Sequence, residues 1–140
     1  MPTRNIMDAV PALRKAWKES LEEWKAKYPN EPEPFLTCVY RSNQEQEELF
    51  MMNKNGKDDD GDGKIDEADE WRTNARAGQS KHNSFPSQAI DIAFRIDKKL
   101  GGPYARFDLF AKFAEIIKSK GVKWGGDWNK KILDPPHFEI

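Results

Sequence analysis

The run from Gln88 to Ile96, QAIDIAFRI, alternates its side chains as a strand does. Ile90, Ile92, Phe94 and Ile96 fall on one face, and Ala89, Asp91, Ala93 and Arg95 on the other. An unbroken row of large apolar side chains needs a cover, so the chain must lay helices over a sheet. From Asp8 to about Tyr28, Leu13, Trp17, Leu21, Trp24 and Tyr28 recur at helical spacing, with Asp8 as a cap and Pro11 tolerated in the first turn. FDLFAKFAEIIKSKG, Phe107 to Gly121, reads as a second amphipathic helix stopped by Gly121. Between them, NEPEP breaks the chain, Phe35 to Arg41 (FLTCVYR) reads as a strand, and Ser42 caps a short helix, NQEQEELFMM. VKWGG and HFEI add two short strands near the chain end. The expected fold is α+β, with helices packed on a small, mostly antiparallel sheet. At 140 residues it forms a single domain.

Charge and composition exclude several classes. Lys and Arg number 23 against 24 Asp and Glu, so no whole-molecule field favours nucleic acid or an anionic membrane. No segment approaches the ~20 apolar residues that span a bilayer, and MPTRNIMDAVPAL lacks the apolar run of a signal peptide. The expectation is a monomer made in a cytosol, without stable membrane association. A single cysteine, Cys38, rules out an internal disulfide, and its apolar neighbours favour a core thiol over a nucleophile.

One segment breaks the even mixing of charge. DDDGDGKIDEAD, Asp58 to Asp69, places side-chain oxygens at positions 1, 3, 5, 9 and 12 of a calcium loop, from Asp58, Asp60, Asp62, Asp66 and Asp69. Gly63 falls at the sharp turn, and Lys64 offers its backbone carbonyl at position 7. NKNG ends the preceding helix several residues early, and no partner hand follows, so this is not a regular EF-hand. Asp69 is also shorter than the usual closing Glu. Seven acids against one lysine repel one another without a cation, so Ca²⁺ is expected as a structural or regulatory accessory at this insertion between the Arg41 and His82 segments, the alternative being an acidic loop that binds nothing.

There are only two histidines. His82 stands nine residues before Asp91, and His137 opens the last strand. Two imidazoles and one carboxylate suffice to hold Zn²⁺ with a fourth position left for water, although two distant histidines are also compatible with ordinary core or surface roles.

Four segments, in order, resemble a family of zinc peptidases that includes D-Ala-D-Ala carboxypeptidases and dipeptidases and phage L-alanyl-D-glutamate endolysins. SKHNSFPSQAIDIA resembles its S-x-H-x(n)-A-x-D signature, YRSNQEQ its Y-R-S-x-x-x-Q segment, WGGDW its tryptophan-rich turn and DPPHFE its closing acid-x-x-His strand. Together they cover residues 36 to 140. The resemblance implies the small antiparallel sheet with helices that this family shares with the hedgehog signalling domain. It implies His82, Asp91 and His137 as zinc ligands, Asp134 as general base, Arg41 as oxyanion partner, and Ser80, Gln44, Trp124 and Trp128 as substrate contacts. The gap from His82 to Asp91 is longer than the family's commonest form, and Pro86 and Ser87 can absorb the difference. Asp rather than Glu at position 134 leans toward the endolysin branch.

The chemistry has its own logic. Zinc lowers the pKa of bound water and polarises a carbonyl. A carboxylate beside it moves the proton, and the stiff Pro135-Pro136 pair fixes the offset of Asp134 from His137. Arg41, always charged, suits a developing oxyanion, while a strand-end surface charge is its plain alternative. WGGDW reads either as core aromatics on a tight turn or as a cleft wall, and Asp127 is placed to hold the second nitrogen of a ligand histidine.

The resemblance therefore implies an endolysin of phage or prophage origin that hydrolyses the L-Ala-D-Glu bond of the peptidoglycan stem peptide. It would stay in the host cytoplasm until holin-dependent release to the cell wall or periplasm. The alternatives are a D,D- or L,D-carboxypeptidase that trims the stem, and a non-catalytic calcium-binding module with structural zinc.

Overall fold

A computed structural model of the chain describes residues 2–51, 80–128, 130 and 133–140. The predicted central strand is β2, Ala89–Phe94. It pairs antiparallel with β1, Pro34–Cys38, on one side and with β4, His137–Glu139, on the other. β3, Lys123–Trp124, adds antiparallel to β4, which gives the sheet order β1-β2-β4-β3. All three pairings are antiparallel, in keeping with the α+β expectation.

Two helices cover the apolar face of this sheet. α1, Pro11–Lys27, buries Leu13, Ala16, Trp17, Ser20 and Trp24. α3, Phe107–Lys118, buries Leu109, Phe110, Phe113, Ala114, Ile116 and Ile117. Their aromatic side chains meet those of the strands. Trp24 lies 5.4 Å from Phe94, Phe94 lies 4.9 Å from Phe110, and Phe113 lies 5.6 Å from Phe138. Each such side chain stabilises the fold by roughly 1.5–3 kcal/mol through burial alone. No helix among the described residues is long and apolar enough to cross a membrane.

Local details depart from the sequence pattern. Asp8 ends a short 3-10 turn and does not cap α1, which begins at Pro11 after Val10 without a side-chain cap. The fixed φ of Pro11 starts the helix, and its missing N–H is one the first turn does not need. β1 ends at Cys38 rather than Arg41, because the register slips between Leu36 and Cys38 and the chain then turns to the N-terminal segment, where Val39 N–H donates to Thr3 O. β2 is covered on both faces, although its alternation reads as a half-buried strand: Ala89 and Ala93 are fully buried, and Arg95 lies beyond the strand. Only Asp91 breaks its burial. Ser42 does cap α2, Asn43–Met51. Its Oγ accepts from Glu45 N–H at 3.1 Å, and the Glu45 carboxylate accepts from Ser42 N–H at 3.0 Å. α3 ends at Lys118, and Gly121 supplies the left-handed residue (φ +85°) of the turn that follows.

Candidate metal centre and active site

Sheet register builds the site. Cys38 stands opposite Asp91 across β1 and β2, and Asp91 stands opposite His137 across β2 and β4. Directly opposed residues in antiparallel strands project to the same face, so these form one row across three strands. That face is the one turned away from the Ile90, Ile92 and Phe94 row. His82 comes to the row from a short 3-10 turn, Lys81–Asn83, capped by Ser80, whose Oγ accepts from His82 N–H at 3.2 Å. Two further bonds fix this turn against the end of β1. Arg41 N–H donates to His82 O at 2.9 Å, and the Asn83 amide donates to Arg41 O at 2.8 Å.

The two imidazoles converge on one carboxylate. His82 Nε2 and His137 Nδ1 each lie 3.1 Å from Asp91 Oδ1. Their other nitrogens already have acceptors, because His82 Nδ1 meets Val39 O at 2.8 Å and His137 Nε2 meets Glu139 Oε1 at 2.8 Å. Both histidines are buried, and Asp91 remains 20% exposed. Imidazoles anchored on one side, with their second nitrogens turned to a shared carboxylate, form, once they give up a proton, the donor set that zinc takes. The residues present fit the metal.

Electrostatics bind the group together. Burial opposes charging His82, but the charge and hydrogen bond of Asp91 and the Cys38 thiol outweigh it and raise its pKa to about 10. Burial likewise opposes charging His137, and its bonds to Asp91 and Glu139 raise it to about 9. Burial would push Asp91 up, yet the two imidazoles hold it far below the usual carboxylate range.

Asp134 stands beside this trio, with oxygen and nitrogen donors of Asp91, Asp134 and His137 all within 4.8 Å of one another. Burial and the charge of Asp91 push its pKa up to about 6, against the pull of His137, His82 and Arg41. The WGGDW turn holds it there. Asp134 N–H donates to Gly125 O at 3.1 Å, and the Trp124 indole N–H donates to Pro135 O at 2.7 Å. A Cβ on Gly125 would lie 2.2 Å from Asp134 O, so only glycine allows this approach.

Arg41 reaches the far side of Asp91, with Nη2 3.8 Å from Oδ2. Its guanidinium donates to Gln46 Oε1 at 2.8 Å and to Cys38 Sγ at 3.4 Å. It is therefore a partly buried, directed cation and not a strand-end surface charge.

The remaining site expectations divide. Trp128 stands with its ring 5.0 Å from that of His137, where it can wall a cleft. Trp124 is buried and turns its N–H to Pro135, a core position that supports Asp134. Ser80 is engaged as the cap of the His82 turn. Gln44 points away from the site and bonds Glu48 on the exposed side of α2. Asp127 holds no histidine; it pairs with Lys118 Nζ at 2.6 Å, and Glu139 takes that place beside His137. Cys38 is more than a core thiol, since its sulfur lies within 4.8 Å of donor atoms of His82 and Asp91. Gln46 and Glu139 were not singled out by the sequence, although Gln46 closes the Y-R-S-x-x-x-Q segment and Glu139 shares a strand face with His137. Asp58, Asp60, Asp62, Lys64, Asp66 and Asp69 lie outside the described residues.

A family model described as D-alanyl-D-alanine carboxypeptidase matches residues 73–140, the part that carries both histidines, Asp91 and Asp134. The peptidoglycan L-alanyl-D-glutamate endopeptidase CwlK of Bacillus subtilis (strain 168) is 31% identical, over 99% of this chain and 81% of its own length. The chain belongs to the D-alanyl-D-alanine carboxypeptidase and L-alanyl-D-glutamate endopeptidase family. Two solved members of this family share the fold. The L-Ala D-Glu endopeptidase ChiX of Serratia marcescens superposes with a TM-score of 0.54 at 20% identity, over 100% of this chain and 88% of its own. The vancomycin-resistance D,D-pentapeptidase VanY of a VanB-type cassette, solved with Zn(II), gives 0.64 at 16% identity, over 94% of this chain and 72% of its own.

Proposed function

We propose that this peptidase hydrolyses the L-Ala-D-Glu bond of the peptidoglycan stem peptide with a zinc ion held by His82, Asp91 and His137. The observation that carries the metal reading is the convergence of His82 Nε2 and His137 Nδ1 on Asp91, each 3.1 Å away, with the other side of each ring already anchored. Similarity to CwlK over nearly the whole chain supports the choice of bond.

When bound, zinc supplies Lewis acidity at the scissile carbonyl and lowers the pKa of a bound water. Asp134, with its pKa raised to about 6, accepts the proton of the attacking water near neutral pH and passes it to the leaving amine. Arg41 donates to the developing oxyanion, and Gln46 and Cys38 hold its guanidinium in place before substrate arrives. Trp128 lines the cleft beside His137. Calcium at the Asp58 to Asp69 segment is proposed as an accessory that stabilises the protein, and calorimetric titration of the zinc-saturated protein with Ca²⁺ tests it.

The carboxypeptidase description of the matched family model favours a second reading, release of the stem's terminal D-Ala. Digestion of purified peptidoglycan with mass spectrometry of the products separates the two. New D-Glu amino termini paired with L-Ala carboxyl termini support the endopeptidase. Free D-Ala without them overturns it in favour of the carboxypeptidase.

A further inference from the structure

We propose that Glu139, held by Lys81, is the positioning residue that orients His137 toward the metal, and that this pair ties together the two segments bearing the histidine ligands. The proposal rests on the zinc reading of the site and deepens it.

The carboxylate of Glu139 uses both oxygens. Oε1 accepts from His137 Nε2 at 2.8 Å, and Oε2 lies 3.3 Å from Lys81 Nζ. Lys81 also donates to the Ile140 carbonyl, so its ammonium is held at the end of β4 by two partners. It is also the residue immediately before His82. The chain of contacts therefore runs from the His82 turn through Lys81 and Glu139 to His137, and joins segments that are far apart in sequence.

The imidazole of His137 can turn about its χ2 bond, and a half-turn would exchange Nδ1 for a carbon at the position facing Asp91. The bond from Nε2–H to Glu139 resists that turn and keeps the Nδ1 lone pair aimed inward. The two ligand histidines differ in this support. His82 leans on a neutral backbone carbonyl, that of Val39, whereas His137 leans on a charged carboxylate. A carboxylate makes the imidazole the more basic metal ligand, and Lys81 tempers that charge while fixing its place.

Zinc affinity by chelator competition, thermal melting of the metal-free protein, and the visible spectrum of the Co²⁺-substituted protein should be measured for the parent, Glu139→Gln, Glu139→Ala and Lys81→Met. Glu139→Ala is expected to weaken zinc binding by about 10- to 100-fold and to shift the Co²⁺ bands. Glu139→Gln, which keeps an acceptor but loses the charge, should recover most of that affinity. Lys81→Met, which leaves the carboxylate in place but frees it, should fall between the parent and Glu139→Ala. Affinities and Co²⁺ spectra of all variants equal to those of a zinc-binding parent overturn the proposal alone. A loss of affinity matched by a large fall in metal-free melting temperature, with unshifted Co²⁺ bands, overturns it in favour of a purely structural ion pair. A parent that binds no zinc overturns the metal reading and this proposal with it.

Discussion

Asp134 separates an enzyme from a metal-bound scaffold. Its carboxylate lies close enough to Asp91 and His137 to serve either as base or as a fourth ligand, and the two roles respond differently to one change. Asp134→Asn keeps the shape and removes the basicity. If Asp134 is the base, the variant holds zinc as the parent does while kcat falls by about 10²-fold or more. Loss of zinc would make it a ligand, and activity within a few-fold of the parent would leave it no part in proton transfer. The residues of this centre were legible in the sequence only through the resemblance of their short motifs to a family, since spacing alone left both histidines and Arg41 compatible with ordinary roles. Their supporting partners were not. Gln44 and Gln46 differ by two positions on α2, close to half a helical turn, so one faces solvent and the other is fully buried against Arg41. Glu139 rather than Asp127 supports His137 because β4 places it two residues along the same face, which depends on where that strand begins.

The turn from Trp124 to Trp128 acts as a cradle for the strand end that carries Asp134. Its three contributions are the carbonyl of Gly125, the indole N–H of Trp124 and the absent side chain at Gly125. Gly125→Ala sets a methyl group against the Asp134 backbone, which must move because a carbonyl oxygen cannot swing aside as a flexible side chain can. The expected result is a fall in kcat of about 10²-fold from misplacement of the base, with zinc content near that of the parent. Parallel zinc analysis and stem-peptide hydrolysis check this, and unchanged turnover would mean that the cradle does not set the position of Asp134. At this scale the sequence identified each described strand and α-helix, but it missed the 3-10 turns, among them the one that carries His82, and misjudged the ends. β1 stops early because its last residues find hydrogen-bond partners at Thr3, and α1 starts late because Val10, not Asp8, precedes its first turn. Both outcomes depend on contacts between distant segments, which local periodicity does not carry.

For the molecule as a whole, the crowded site makes stability depend on pH in opposite ways with and without metal. Asp134, His82 and His137 have folded pKa values of about 6, 10 and 9, each above the ordinary 3.8 or 6.5. Their contributions to metal-free stability are present in full below those ordinary values and are lost as pH rises through the folded ones. Asp91 acts in the other direction, and its contribution disappears only on acidification below 3.8. The metal-free protein should therefore melt at progressively lower temperature from pH 5 to pH 9. Zinc requires neutral imidazoles, so its stabilisation grows over the same range as fewer protons must be displaced. Scanning calorimetry across these pH values, with zinc and with chelator, is expected to show the two melting temperatures diverging; parallel curves would contradict it. The alignment of Cys38, Asp91 and His137 across three strands has a consequence for assembly as well. A slip of one residue between β2 and β4 would turn His137 to the helix-covered side, beyond reach of its partners. An ion that needs His137 beside Asp91 would therefore stabilise only the correctly paired sheet.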